Sequence, residues 1–193
     1  MDERFLQSLF TRRHCVLGKR LQPFSLAHRV TLIAIDSPII KENGSITFKD
    51  LALAVGVCSR RNPFNHYPKI SFSNQIRYRL AKKFPRYFYH HADEFIAYLE
   101  DCCSHPKILS DEDNDEVGKP YSLPWCLTVV AVLMRSGCMS EQSAWTLPEG
   151  RALWLYTAFN NLEGGKFKVI STDEEKVTLD KFAEWDRIEK QTQ

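Results

Sequence analysis

The chain has 193 residues, 44% of them apolar, with 12 Phe, 7 Tyr and 4 Trp. That is enough to bury roughly 70% of the unfolded surface in a packed core, which excludes global disorder. The formal charge of +2 marks neither a strongly basic nor a strongly acidic protein, and the longest apolar run, Leu127 to Met134, is far below the roughly 20 residues that a membrane span requires.

The opening MDERFLQSLFTRRH starts with acids and has no continuous apolar stretch before a small-residue cleavage site. A secretory signal is therefore not expected, and a cytoplasmic location with reduced thiols is. Within the same segment Phe5, Leu6, Leu9 and Phe10 share one helical face, which predicts a short amphipathic helix over 2–10. Val16-Leu-Gly-Lys-Arg-Leu21 is broken by Gly18 and suits a short extended piece or a hairpin arm rather than a helix. Ser25 is a plausible N-cap for a helix over 26–35, with Leu26, Val30 and Ile33 on its inner face, ended by Ser37-Pro38. Asn43-Gly44 marks a turn. Thr47 and Asp50 form a capping box for a helix over 48–58 whose Leu51, Ala54, Val55 and Cys58 share a face.

Asn62 to Pro68 reads as a loop, and Ser73 to Phe84 as a basic amphipathic helix ended by Pro85. A further helix runs from Arg86 to about Cys102, with Phe88, Phe95, Tyr98 and Leu99 available for packing. Residues 110–120, SDEDNDEVGKP, form a solvated acidic loop. Ser122 caps the next helix, with Pro124 in its first turn and Gly137 closing it. Ser140 begins a short helix through Trp145, and Pro148 opens one that ends at Gly164-Gly165. Phe167 to Ile170 alternates like a strand. Thr172 with Glu175 makes a capping box for a last helix bearing Val177, Phe182, Trp185 and Ile188. The expectation is a mainly α protein: one compact multi-helix domain spanning 1–193, with one or two short strands. In the helical hairpin, Trp145, Leu147, Leu153, Trp154 and Phe159 are expected to pack against Leu127, Val130, Leu133 and Met134.

The modest net charge conceals a segregation. Residues 51–92 hold no Asp or Glu and eight Lys or Arg, whereas residues 93–116 hold nine acids against Lys107 alone. Arg77, Arg79, Lys82, Lys83 and Arg86, interleaved with aromatic rings, could neutralise phosphates and stack on unpaired bases. A whole-chain pI of about 8.2 favours instead a solvated helix face that pairs with the acidic block. His90, His91, Cys102, Cys103 and His105 carry the atoms that zinc prefers, but no C-x-x-C or H-x-x-x-H spacing brings them together. Surface histidines and packing cysteines account for them. Asp111, Asp113 and Asp115 alternate as in a calcium loop but lack its glycine and bidentate glutamate. Neither a G-x-S-x-G elbow, a phosphate loop nor H-E-x-x-H occurs. No catalytic, cofactor or metal site is expected, and the protein reads as non-enzymatic.

Two stretches carry a resemblance. The first is VLGKRLQPFSLAHRVTLIAIDSPI at 16–39, followed by DLALAVGVCSR at 50–60. The second is PWCLTVVAVLMRSGCMSEQSAWTLPEGRALWLYTAF at 124–159, followed by EGGKFKVISTDEE at 163–175. Together they cover about half of the chain. Pro-Phe-Ser-Leu-x-His, Trp145-x-x-Pro148 and the aromatic pair after Ala152 resemble the tail assembly chaperones of long-tailed bacteriophages and related prophages. The segment between the stretches does not match that family. The resemblance implies a helical protein that binds the amphipathic tape-measure protein, or another tail protein, while the tube polymerises. Trp145, Trp154 and the cations Arg77, Arg79, Lys82, Lys83 and Arg86 are then the partner-binding candidates, and the opposed charge blocks could also support self-association. A connector or tail-completion subunit retained in the particle uses the same features, and nucleic-acid binding through the basic helix is the third reading.

Overall fold

The computed structural model describes residues 2–41, 45–64, 85–109, 124–165 and 167–192. Among them are eight helices and two two-stranded antiparallel sheets, so the chain is mainly α as expected. The basic segment predicted over 73–84, the turn at Asn43-Gly44, the acidic loop at 110–120 and the Ser122 cap lie outside the described residues.

Helix α1 (Glu3–Leu9) is capped by the Asp2 carboxylate, which accepts from the Arg4 backbone N–H at 2.9 Å. Strands β1 (Cys15–Val16) and β2 (Lys19–Arg20) form a hairpin, the second of the two readings of this segment. Its two-residue turn places Leu17 at φ 50° and Gly18 at φ 68°. Both positions of such a turn require positive φ, which glycine tolerates and leucine resists. Leu17 is fully buried, and that burial offsets its backbone strain. Helix α2 (Leu26–Ala34) turns Leu26, Ala27, His28, Thr31 and Leu32 inward. Ile33, expected on the inner face, is 51% exposed, while Val30 is partly buried. The buried arc thus runs through Leu26, Ala27, His28, Thr31 and Leu32, where His28 finds hydrogen-bond partners at both ring nitrogens, and Ile33 is left outside it.

Helix α3 (Phe48–Cys58) has the expected bounds and the expected box: Thr47 N–H donates to Asp50 at 3.0 Å, and Asp50 N–H donates to Thr47 Oγ1 at 3.3 Å. Helix α4 (Pro85–Cys102) buries Phe95, Tyr98 and Cys102. The Tyr98 hydroxyl donates to the Gln22 carbonyl at 2.7 Å, and Gln22 N–H donates to the Cys58 carbonyl at 2.8 Å, so one linker ties α3 to α4. These side chains, with Val16, Leu17, Leu21, Phe24 and Leu32, form a first hydrophobic cluster.

Helix α5 (Trp125–Gly137) follows Pro124, and helix α6 (Glu141–Thr146) is capped by Ser140. Gly137 was expected to stop α5; it lies inside the helix, and the left-handed residue after it is Cys138, at φ 49°. Gly137 answers a packing need instead, since a Cβ there would sit 3.3 Å from the Phe159 ring. Helix α7 (Glu149–Leu162) packs back on α5. Leu26, Cys126, Val129, Val130, Leu133, Ala144 and Ala152 make the second cluster, with Trp145, Leu147, Leu153 and Phe159 against it. Leu32 and Leu26 place α2 in both clusters.

Three hairpin contacts differ from expectation. Leu127 and Met134 are 43% and 40% exposed, because Cys126, Val129, Val130 and Leu133 (i, i+3, i+4, i+7) take the inner face. Trp154 meets Phe5 of α1 edge-on, with ring centroids 5.5 Å apart, and its indole N–H donates to the Ser104 carbonyl at 3.2 Å.

Strand β3 (Lys107–Leu109), which the sequence pattern did not indicate, pairs with β4 (Lys168–Ile170) in the register Lys107 to Ile170, Ile108 to Val169 and Leu109 to Lys168. Helix α8 (Thr172–Thr192) closes the described chain. Its box is formed one residue earlier than expected, by Ser171 and Glu174. Val177 on this helix is 54% exposed. Arg4 bridges Asp2, the Ile170 carbonyl and Glu175, and Lys107 also pairs with Glu175, fastening α1 and β3 to the start of α8.

Candidate functional site

The two stretches that carry the resemblance meet in one seam. Ser25 and Pro148 form an antiparallel bridge, and the Glu149 N–H donates to the Phe24 carbonyl at 2.8 Å. The Glu149 amide is the first of α7 and has no intrahelical acceptor, so the Phe24 carbonyl satisfies it. Gly150 follows, where a Cβ would lie 2.8 Å from the Ser104 carbonyl and 2.9 Å from that of Cys102. Only glycine lets α7 start so close to the end of α4.

An ion pair crosses this seam. Arg29 donates from Nε to Glu149 Oε2 at 2.5 Å and from a terminal nitrogen to Oε1 at 2.6 Å. The Glu149 side chain is 3% exposed and that of Arg29 23%. The guanidinium lies 5.5 Å from the Phe24 ring centroid and 5.8 Å from that of Trp125, a cation–π setting that favours arginine over lysine. Burial acts to lower the Arg29 pKa, and the hydrogen bonds and charge of Glu149 outweigh it and raise it. Each side chain is the other's charge partner in the seam.

The neighbouring thiols are quiet. Burial, reinforced by the Glu149 charge, pushes Cys103 up and Cys126 up to about 11. Burial likewise pushes Cys102 up to about 11. A thiol in that range is protonated at neutral pH and a poor nucleophile. His28 is equally committed. Its Nδ1 accepts from the Ser25 N–H at 3.0 Å, so its proton sits on Nε2, which donates to the Arg60 carbonyl at 2.7 Å. Burial lowers its pKa. The seam is a structural joint whose polar groups are satisfied internally.

Beside it lies a different kind of surface. From Trp125 to Met134 the sequence WCLTVVAVLM has no charged side chain. Trp125 is 46% exposed, and Leu127, Ala131 and Met134 line the exposed side of α5 at helical spacing. Of the predicted partner-binding residues, Arg77, Arg79, Lys82 and Lys83 lie outside the described residues, and Arg86 is exposed in the first turn of α4. Trp145 packs on the second cluster and meets Phe64 edge-on at 5.4 Å. Trp154 is partly buried against α1. The structure therefore does not gather Trp145 and Trp154 into one surface.

The five metal candidates do not converge either. Cys102 is buried in the first cluster, Cys103 faces Arg29 and Glu149, and the His105 Nδ1–H donates to the Cys103 carbonyl at 2.6 Å, while His90 and His91 sit about Glu94. The residues that sequence reasoning missed are Arg29, Glu149 and Trp125. An arginine inside an apolar helix, and a glutamate directly after a helix-opening proline, were the available signals. The chain has no significant match among protein-family models, curated proteins or solved structures.

Proposed function

We propose that this chain is a non-enzymatic assembly protein that binds an amphipathic helix of a phage tape-measure protein and keeps it soluble during tail assembly. The observation that carries this reading is the exposed apolar strip of α5 formed by Leu127, Ala131 and Met134. That face lies in one of the two stretches that resemble tail assembly chaperones. A tape-measure helix presents apolar stripes that aggregate unless covered, and an apolar helical face covers them through contacts at i, i+3, i+4 and i+7. The Arg29–Glu149 joint supports the reading further, since it ties α7 to α2 beside α5 without offering a reactive group.

Co-expression with a tape-measure protein from the same genome tests this. The partner should become soluble and co-purify with this chain, and the chain should be absent from finished particles. A partner that stays insoluble, with no complex recovered, contradicts the proposal. Presence in particles at a fixed, symmetric number replaces it with a connector role.

A further inference from the structure

One group of side chains on α4, away from the α2–α7 seam, has the geometry of a chelate. His90, His91 and Glu94 form the only set of three or more His, Cys, Asp or Glu among the described residues whose ligand atoms all lie within 4.8 Å of one another. The helix brings them together, because positions i, i+1 and i+4 fall within about 100° of arc and about one turn of rise. The Glu94 carboxylate spans the two imidazoles. Its Oε1 lies 3.5 Å from His90 Nε2 and its Oε2 lies 3.0 Å from His91 Nδ1. Two ligand atoms on a tetrahedral ion, each at about 2.0–2.1 Å, stand about 3.3 Å apart. Each imidazole therefore already stands at about that separation from one of the two carboxylate oxygens, and a turn of the carboxylate brings a single oxygen to both.

The imidazole pair closes with a side-chain rotation. The His91 side chain is 14% exposed and its ring is set edge-on to Tyr87, with centroids 4.6 Å apart at 88°. The His90 side chain is 66% exposed, and its ring centroid lies 5.2 Å from that of His91. One imidazole is fixed by packing and the other has room to swing onto a shared ion.

We propose that His90, His91 and Glu94 bind a divalent transition-metal ion of zinc's class, with water completing its shell. Two imidazoles and one carboxylate suit zinc, copper or nickel, whereas calcium and magnesium demand oxygen donors. Neutral imidazoles are required, so binding strengthens as pH rises. The simpler use of these atoms is a carboxylate accepting a hydrogen bond from the His91 ring N–H, with the His90 ring nearby. It occupies the same positions and is displaced when the ion takes the nitrogen lone pairs.

The test is a calorimetric titration of zinc chloride into the chelator-stripped full chain carrying Cys15→Ser and Cys138→Ser, which removes the exposed thiols that would take zinc themselves. Imidazole resonances are followed in parallel. One equivalent should bind, shifting the His90 and His91 resonances before those of other histidines, with no competition from calcium. His90→Ala, at an exposed position that spares the fold, and Glu94→Gln should each weaken binding by at least roughly tenfold, the loss expected even for an outer-shell partner. Absence of binding, unchanged affinity in both variants, or shifts confined to other histidines overturns the proposal.

Discussion

Both ring nitrogens of His28 are in use, one as acceptor from Ser25 and one as donor to Arg60. Protonating Nδ1 would put a donor opposite the Ser25 N–H and a charge in a site that is 1% exposed. Its folded pKa lies below the ordinary 6.5 because burial disfavours the cation. Just below pH 6.5 the unfolded chain therefore binds more protons than the folded one, and stability must rise with pH through that window. The melting temperature should fall as pH is lowered from 7 towards 5, and His28→Gln should show a shallower fall over the same range. Equal slopes in the two proteins would show that other groups carry the acid sensitivity. The sequence offered His28 only as part of a pattern, Pro-Phe-Ser-Leu-x-His. Its role as a buried cap became legible when Arg60, 32 residues on, supplied the second partner.

Elements whose determinants are local were legible. The Thr47–Asp50 box fixed the start of α3, and Gly18 marked the β1–β2 turn. The last capping box was misplaced by one residue because Thr172–Glu175 and Ser171–Glu174 both satisfy the same spacing, and only the folded chain chooses between them. Strand β3 was not legible, since its partner β4 lies some 60 residues away and short strands derive their stability from such pairing. The rotation of α5 was equally hidden, because apolar residues surround that helix and packing alone decides that Val130 and Leu133 go in while Leu127 and Met134 stay out. The Arg29–Glu149 pair gives the element scale its sharpest test. Arg29→Met leaves a buried carboxylate without its partner and should cost about 3–5 kcal/mol in urea unfolding. Arg29→Met with Glu149→Leu should recover most of that loss, since a well-packed apolar replacement of a buried pair is often neutral. A double variant as unstable as the single one would mean that Arg29 acts by packing on Phe24 and Trp125 and not through its charge.

The described residues form two hydrophobic clusters sharing α2, joined by the Arg29–Glu149 ion pair and bordered by an exposed apolar strip on α5. The expected partner-binding cations Arg77, Arg79, Lys82 and Lys83 fall outside the described residues, so the α5 face is where the binding proposal stands. The direct measurement is recovery of a co-expressed tape-measure protein by the chain carrying Leu127→Glu and Met134→Glu. Both positions are solvent-exposed, so the variant should keep the melting temperature of the parent, as surface substitutions usually do. Two carboxylates on the contact face would have to be desolvated on binding, and that cost should abolish recovery of the partner. Full recovery by a folded double variant would contradict the account and place the binding surface elsewhere on the molecule.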